Sequence, residues 1–389
     1  MPHFNGELRR KILTQRAFWP IPAKPFGDET MSLESAPSFP STRMSRLGVT
    51  FPAMIAPMVG LSHAAFRHLV RTYTPEGLEP LIFTEMLSTR MLPYERVDRV
   101  DELRVVQGER NFVPQLLGNE ESFISKSIAK LMELEPWGFD INMGCPAKQT
   151  LKHNWGVRLL GDADYAARVV EATKRHSPLP VSVKMRCGQD KADPHFLEEF
   201  TAKLEGAGAD WLAIHARTQS QKHKGEADWS LISELAPKRS IPIVVNGDIQ
   251  TADDAVHILR ELAVDGVMIG RAATARPWIL WQIADAFGYP HAPKAFAGKK
   301  PPRGALEEGR AFLESILLYL DYLDLYFDNE DKKLKRLRFH VVNSHKWFLF
   351  GHAFFSRCHK CKSIAAIREM TLESLERPEF PMSQRINLL

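Results

Sequence analysis

Cysteine is scarce in this 389-residue sequence, which holds only Cys145, Cys187, Cys358 and Cys361. Thiols so few and so scattered build no disulfide framework, and a reducing cytoplasm is the expected setting. No apolar run approaches the roughly 20 residues that span a bilayer, so no membrane partner is expected. The opening residues, MPHFNGELRRKILTQRAFWPIP, have no long apolar core behind their basic residues, which argues against a secretory signal. No HExxH pattern or carboxylate cluster with metal spacing occurs, so no metal is expected. The net charge of +4 is unremarkable. Its distribution is not, because one stretch near the end lacks acidic residues altogether.

What is present, from about residue 50 to 290, is a series of short apolar runs separated by helical patterns. The runs are AMIAPM (53–58), PLIFTEM (80–86), NFVPQLLG (111–118), GFDINMG (138–144), PVSVKMR (180–186), DWLAIHAR (210–217), IPIVVNGD (241–248) and DGVMIGR (265–271). Near-continuous apolar runs suit parallel strands buried on both faces. Between them lie stretches such as DADYAARVVEATKRH that read as amphipathic helices. Eight such units without a break predict a (β/α)8 TIM barrel, with a doubly wound open sheet as the alternative. The Pro- and Ser-rich residues 1–45 read as an irregular or loosely docked extension, ahead of a catalytic barrel over 46–295. A Pro/Lys-rich linker at 296–305 precedes a helical domain over 306–380, where no strand-like run occurs.

The polar residues of the runs fall at their carboxyl ends: Pro57-Met58, Glu85, Gln115, Asn142 with Cys145, Lys184 with Arg186, His215 with Arg217, Asn246 with Asp248, and Gly270-Arg271. In a barrel these ends share the face that carries active sites. The glycines of NGDI and IGRA mark the loops where barrels often hold phosphate, with backbone N–H groups able to approach an anion. Read alone, Gly247 and Gly270 serve turns just as well. Lys184, inside the otherwise apolar SVKMR, is costly to bury unless it meets an anion or an acceptor. Gln115 both donates and accepts, which suits the pyrimidine edge of a flavin. His215 at the end of the sixth run is suited to a phosphate contact or to a purely structural role.

Two features lie outside this pattern. Residues 332–362 hold nine Lys/Arg and no Asp/Glu, with four His and six aromatics. A single-sign segment reads as a phosphate-binding surface, with the aromatics in the core of the helical domain. The pair in CHKC (358–361) is half of a zinc site at most. No second CxxC exists, and two cysteines one helical turn apart are the plainer reading.

The ordered set APMVGLSHAAFR, TEM, QLLG, NMGCPAK, VKMR, HART, GEADW, NGDI and MIGRA resembles the dihydrouridine synthase family, flavin enzymes that reduce uridine in transfer RNA. The likeness runs from about 50 to 285, and the basic helical tail is similar to that family's RNA-binding domain. The resemblance implies FMN as cofactor, NADPH as reductant and RNA, most simply tRNA, as partner of a monomer. It places Pro57, Met58, Val59, Gln115, Lys184, His215, Asn246, Gly247, Asp248, Gly270 and Arg271 at FMN-contacting positions. Cys145 takes the place of the proton donor, and Asn142 and Arg186 those of substrate-base contacts. Lys333, Lys335, Arg336 and Arg338 are the expected grip on RNA. The sequence departs from the family at His63, Trp155, Arg158 and His223, all expected on the substrate side.

The implied chemistry accounts for a thiol at a strand end. Hydride from reduced flavin N5 adds at C6 of uridine, negative charge develops at C5 and O4, and an acid must protonate C5. A thiol is mostly protonated at neutral pH and can do so if held across the base from the flavin. The base must be unstacked to lie there. Two alternatives stay open at this point: a flavin barrel acting on a small molecule, as dihydroorotate dehydrogenase does, and an RNA-binding homologue with weakened catalysis.

Overall fold

The computed structural model describes residues 39–40, 42–106, 108–222, 224–376 and 380–386. Eight parallel strands close into a barrel in chain order: β1 (Ala53–Ile55), β2 (Ile82–Ser88), β3 (Phe112–Leu117), β4 (Phe139–Met143), β5 (Val181–Arg186), β6 (Trp211–His215), β7 (Ile243–Asn246) and β8 (Gly266–Ile269). Closure comes from β1, which pairs with both β2 and β8. Each strand lies on one of the eight apolar runs.

β5 explains why the runs read as nearly continuous. Val181, Val183 and Met185 join the apolar layer beneath the surrounding helices. Ser182, Lys184 and Arg186 alternate with them and so face the barrel axis. β4 follows the same rule, with Phe139, Ile141 and Met143 outward and Asp140 and Asn142 inward. Apolar residues fill the interior below this level: Met54, Phe83, Val113, Trp211, Ala213, Val244 and Met268. The polar layer therefore sits on a packed floor.

The helices in chain order are α1 (Ala64–Thr72), α2 (Glu121–Leu131), α3 (Lys148–Lys152), α4 (Ala163–His176), α5 (Pro194–Gly206), α6 (Trp229–Leu235), α7 (Ala252–Glu261), α8 (Ala272–Ala275) and α9 (Ile279–Ala286). Several starts are fixed by capping side chains. Asp162 accepts from Tyr165 N, Asp193 from His195 N and Phe196 N, and Thr251 and Asp254 form a capping box. Residues 43–47 form a 3₁₀ turn that is firmly docked. Arg43 is ion-paired with Asp265 at 2.6 Å and donates to the carbonyls of Ala236 and Arg239, and Met44 is buried. The remainder of the expected loose extension, 1–38 and 41, lies outside the described residues.

A helical unit follows: α10 (Ala305–Tyr326), α11 (Glu330–Ser344), α12 (Gly351–Lys360) and α13 (Ile364–Leu375). It is not a separate globule, because its apolar interior is continuous with the outer layer of the barrel. α10 lies along α1, where Thr72 and Tyr322 hydroxyls are 2.7 Å apart and Tyr326 Oη is 3.1 Å from His68 Nδ1. A buried ion pair, Arg276–Glu308 at 3.1 Å, ties α10 to the turn between α8 and α9. Residues 380–386 then return to the barrel. Ser383 O accepts from Arg276, Ile386 exchanges two hydrogen bonds with the side chain of Gln250, and Arg385 pairs with Asp254.

Candidate active site

The inward polar residues of β3, β4 and β5 form one buried chain of hydrogen bonds. Ser182 Oγ donates to Asp140 Oδ1 at 2.6 Å, and Gln115 Nε2 donates to Asp140 Oδ2 at 2.6 Å. Asn142 Nδ2 in turn donates to Gln115 Oε1 at 2.8 Å. Asn142 Oδ1 then accepts from the backbone N–H groups of Gly144 and Cys145, at 3.2 and 3.0 Å. The register explains the chain, since Gln115 lies beside Asp140, Asp140 beside Ser182, and Asn142 beside Lys184. Burial raises the Asp140 carboxyl to about 7, against the opposing pull of Ser182, Gln115 and the charge of Lys184. Burial, reinforced by the charge of Arg186, lowers the Lys184 ammonium to about 8. Lys184 Nζ donates to Asn246 Oδ1 at 3.0 Å, and Asn246 Nδ2 to Met268 O at 2.7 Å.

Cys145 stands at the end of this chain and is partly exposed. The buried Thr150 hydroxyl lies 3.6 Å from its sulfur, placed to donate to it. Its carbonyl accepts from Val157 N at 3.2 Å. A Cβ on Gly156 would lie 2.8 Å from that carbonyl, and φ there is +60°, so the turn that backs the thiol requires glycine. Trp155 locks the same turn. It is buried, and its indole N–H donates to Asn119 Oδ1 at 2.8 Å, with the Arg90 guanidinium over its ring.

Beside the chain lies a cavity at the ends of β1, β5, β6, β7 and β8. Nine of the eleven expected cofactor positions line it: Pro57, Met58, Lys184, His215, Asn246, Gly247, Asp248, Gly270 and Arg271. Gln115 lies deeper, at 2% exposure, and Val59 faces solvent at 55%. A Cβ on Gly247 would come within 2.8 Å of the His215 ring, and φ there is +110°. The carboxylate of Asp248 is already engaged by Arg217, at 2.7 and 2.6 Å, and by Ala227 N. Among the described residues, the lining therefore presents Lys184, Arg271 and backbone to an occupant, without a free acidic group to oppose an anion.

Other expected residues are placed differently from the simplest expectation. Arg186 donates to the carbonyls of Gly144, Thr218 and Lys222, so it braces the thiol loop against the loop after β6. Asn142 likewise spends its amide on Gln115 and the Cys145 loop. In the basic stretch, Arg336 is paired with Glu85 and Glu102, at 3.2 and 3.0 Å, and Lys333 with Asp324 at 2.8 Å. Arg338 donates to the Cys361 carbonyl at 2.7 Å, which leaves Lys335 as the exposed member of the four. His63, expected on the substrate side, does not reach the surface. It is fully buried under α10, 3.1 Å from the Tyr319 hydroxyl, and burial with nearby Arg336 and Arg67 holds it well below the usual imidazole range. Arg158 is exposed, and His223 lies outside the described residues. Cys358 is buried in the helical unit, and burial pushes its thiol up to about 12. Among the described residues no group of three or more metal-ligating side chains occurs.

Three residues went unnoticed in the sequence. Asp140 left a visible signal, a carboxylate inside an apolar run. Thr150 left none. Trp347, from the helical unit, lines the cavity, yet in sequence it is one aromatic among six in its stretch.

The model of the family described as dihydrouridine synthase matches residues 54–354. That span runs from the second residue of β1 through the rest of the barrel and reaches into α12. A probable tRNA-dihydrouridine synthase of Rhodobacter capsulatus is 34% identical over 291 residues, covering 75% of this chain and 85% of that protein. Its counterpart in Rhizobium leguminosarum bv. phaseoli is 34% identical over 233 residues, 60% of this chain and 72% of that one. The tRNA-dihydrouridine synthase B of Pseudomonas aeruginosa is 31% identical over 298 residues, covering 76% of this chain and 83% of that protein. Among solved structures, a complex of 2-naphthoyl-CoA reductase with 2-naphthoyl-CoA aligns with a TM-score of 0.48 at 12% identity, over 68% of this chain and 54% of that one. With its barrel, its thiol loop and most of its helical unit inside the family match, the chain belongs to the dihydrouridine synthase family.

Proposed function

We propose that this chain reduces the C5=C6 bond of uridine in RNA, most simply tRNA, to 5,6-dihydrouridine, with Cys145 as the proton donor. One observation carries the reading: a partly exposed thiol is held at the barrel rim by a buried chain of side chains, beside a cavity suited to an anionic cofactor. The names of the relatives supply the RNA. The cavity residues fit FMN, with Lys184, His215, Asn246 to Asp248, Gly270 and Arg271 holding it. FMN bound there and reduced by NADPH would supply the hydride at uridine C6.

The protein's own part is acid catalysis and positioning. Charge that develops at C5 and O4 has to be met by a proton, and Cys145 Sγ delivers it to C5. The Thr150 hydroxyl, 3.6 Å from the sulfur, stabilises the thiolate left behind. Asp140 fixes the amide of Gln115, Gln115 fixes Asn142, and Asn142 fixes the backbone of Cys145, so the donor is placed before substrate arrives. Asn142 and Arg186 border the same loop, and the N–H groups that they do not spend on holding it would be their contacts to the base.

The test is mass analysis of RNA from a strain lacking the gene. Loss of the two added hydrogens at a defined uridine is expected, with restoration by the wild-type gene. An RNA with its full complement of dihydrouridine in that strain would overturn the reading.

A further inference from the structure

Trp347 belongs to the helical unit, in the short turn His345–Trp347 between α11 and α12. It is 1% exposed, and its indole N–H has no hydrogen-bond partner among the described residues. Burying a donor without an acceptor is costly, and native proteins rarely tolerate it. Trp211 and Trp278 share the trait, but of the three it is Trp347 that lines the cavity at the ends of β7 and β8. It shares that lining with Gly247 to Gln250 and Gly270 to Ala272, the two loops that present backbone to an occupant. Its own backbone is fixed, because Trp347 O accepts from Ser383 N at 2.6 Å and Ser383 O accepts from Arg276 at 2.8 Å. The segment that holds Trp347 also holds Gln250, at the end of the β7 loop, through the two hydrogen bonds of Ile386.

We propose that the indole N–H of Trp347 donates to the phosphate group of the cofactor in this cavity, so that the helical unit completes the barrel's cofactor site. The proposal rests on the flavin reading above. A phosphate suits the position, because Lys184 and Arg271 line the same cavity and the carboxylate of Asp248 is neutralised by Arg217. Phosphate binding and docking of the helical unit then stabilise one another, since each completes the surroundings of the other.

The test uses the full-length chain freed of flavin and titrated with FMN and with riboflavin, which lacks the phosphate, following flavin fluorescence. Trp347→Phe keeps most of the packing and removes the N–H. It is expected to weaken FMN by about tenfold to a hundredfold, the range for a hydrogen bond to a charged group, and to leave riboflavin unchanged. Unchanged FMN affinity, or equal weakening of both flavins, would overturn the proposal while the flavin reading stands. A wild-type chain that binds neither flavin overturns both. If Trp347→Phe does not fold, the indole N–H signals of the ¹⁵N-labelled wild-type chain decide. One signal must move with FMN and with inorganic phosphate but not with riboflavin, and it must persist in Trp229→Phe, because Trp229 already donates to Gly247 O at 2.8 Å. No such signal means that Trp347 does not touch the phosphate.

Discussion

The barrel face and the helical unit both carry polar residues among apolar ones, but they use them differently. On β3, β4 and β5 a charge or amide breaks an apolar run and faces the axis, where burial has a high cost. Ser182, Asp140 and Gln115 are tied to one another and, through Asn142, to the thiol loop, Arg186 reaches that loop directly, and Lys184 is tied to Asn246. In the helical unit, charges come in a crowd. Arg336, Lys333 and Arg338 turn inward to carboxylates or carbonyls of the same chain, while Lys335, Lys346, Lys360 and Lys362 are exposed. An isolated buried polar group had few places to go, so its position pointed to chemistry. A lysine or arginine in a basic stretch had many, so its position alone did not tell clamp from nucleic-acid contact.

The contrast can be broken in four places. Cys145→Ala removes the donor at the barrel rim, and dihydrouridine formation should fall by about 10²–10⁴-fold with flavin content unchanged. Full turnover by this variant would leave the thiol loop without a role.

The second prediction concerns pH. The folded carboxyl of Asp140 lies at about 7, above its ordinary 3.8, so the folded chain binds this proton more tightly than the unfolded chain. That contribution is fully present below the ordinary value and is lost as pH rises through about 7, by at most on the order of 4 kcal/mol. Glu85, raised from 4.5 to about 7 chiefly by burial, acts in the same sense. The melting temperature of Asp140→Asn should therefore fall less than that of the wild type over this interval. Parallel curves would show that Asp140 is not a buried titrating group.

Third, Arg336→Met should cost about 2–4 kcal/mol in thermal or denaturant unfolding, because Glu85 and Glu102 lose their partner. Glu85→Gln in the same chain should restore part of the loss. A fully stable single variant would mean that the helical unit is held without the clamp.

The smallest effect is expected from Lys335, Lys346 and Lys360 replaced together by Gln. Stability should not change, while the dependence of RNA affinity on salt should flatten by roughly 0.7–0.9 for each phosphate that is no longer neutralised. A slope equal to that of the wild type would place the RNA on another surface.

These differences follow what was legible in the sequence. All eight strands coincide with apolar runs, because burial on both faces leaves its mark on neighbouring residues. The cavity residues were legible for the same reason: Lys184 and Asn246 stand out at strand ends, and barrel closure does the rest. The fate of Arg336 was not legible, since its partner Glu85 is 251 positions away. Neither was the burial of His63 under Tyr319, or the arrival of Trp347 at the cavity. Each depends on how the helical unit lies on the barrel, and nothing local in the sequence records that. Local spacing also missed the docking of residues 43–47, which turns on the pairing of Arg43 with Asp265.

The most direct measurement is mass analysis of tRNA incubated with NADPH and the purified full-length chain, wild type beside Cys145→Ala, both loaded with flavin. The account predicts uridine that gains two hydrogens with the wild type and gains almost none with the variant. Unmodified tRNA from the flavin-loaded wild type, or equal yields from the two chains, would contradict it.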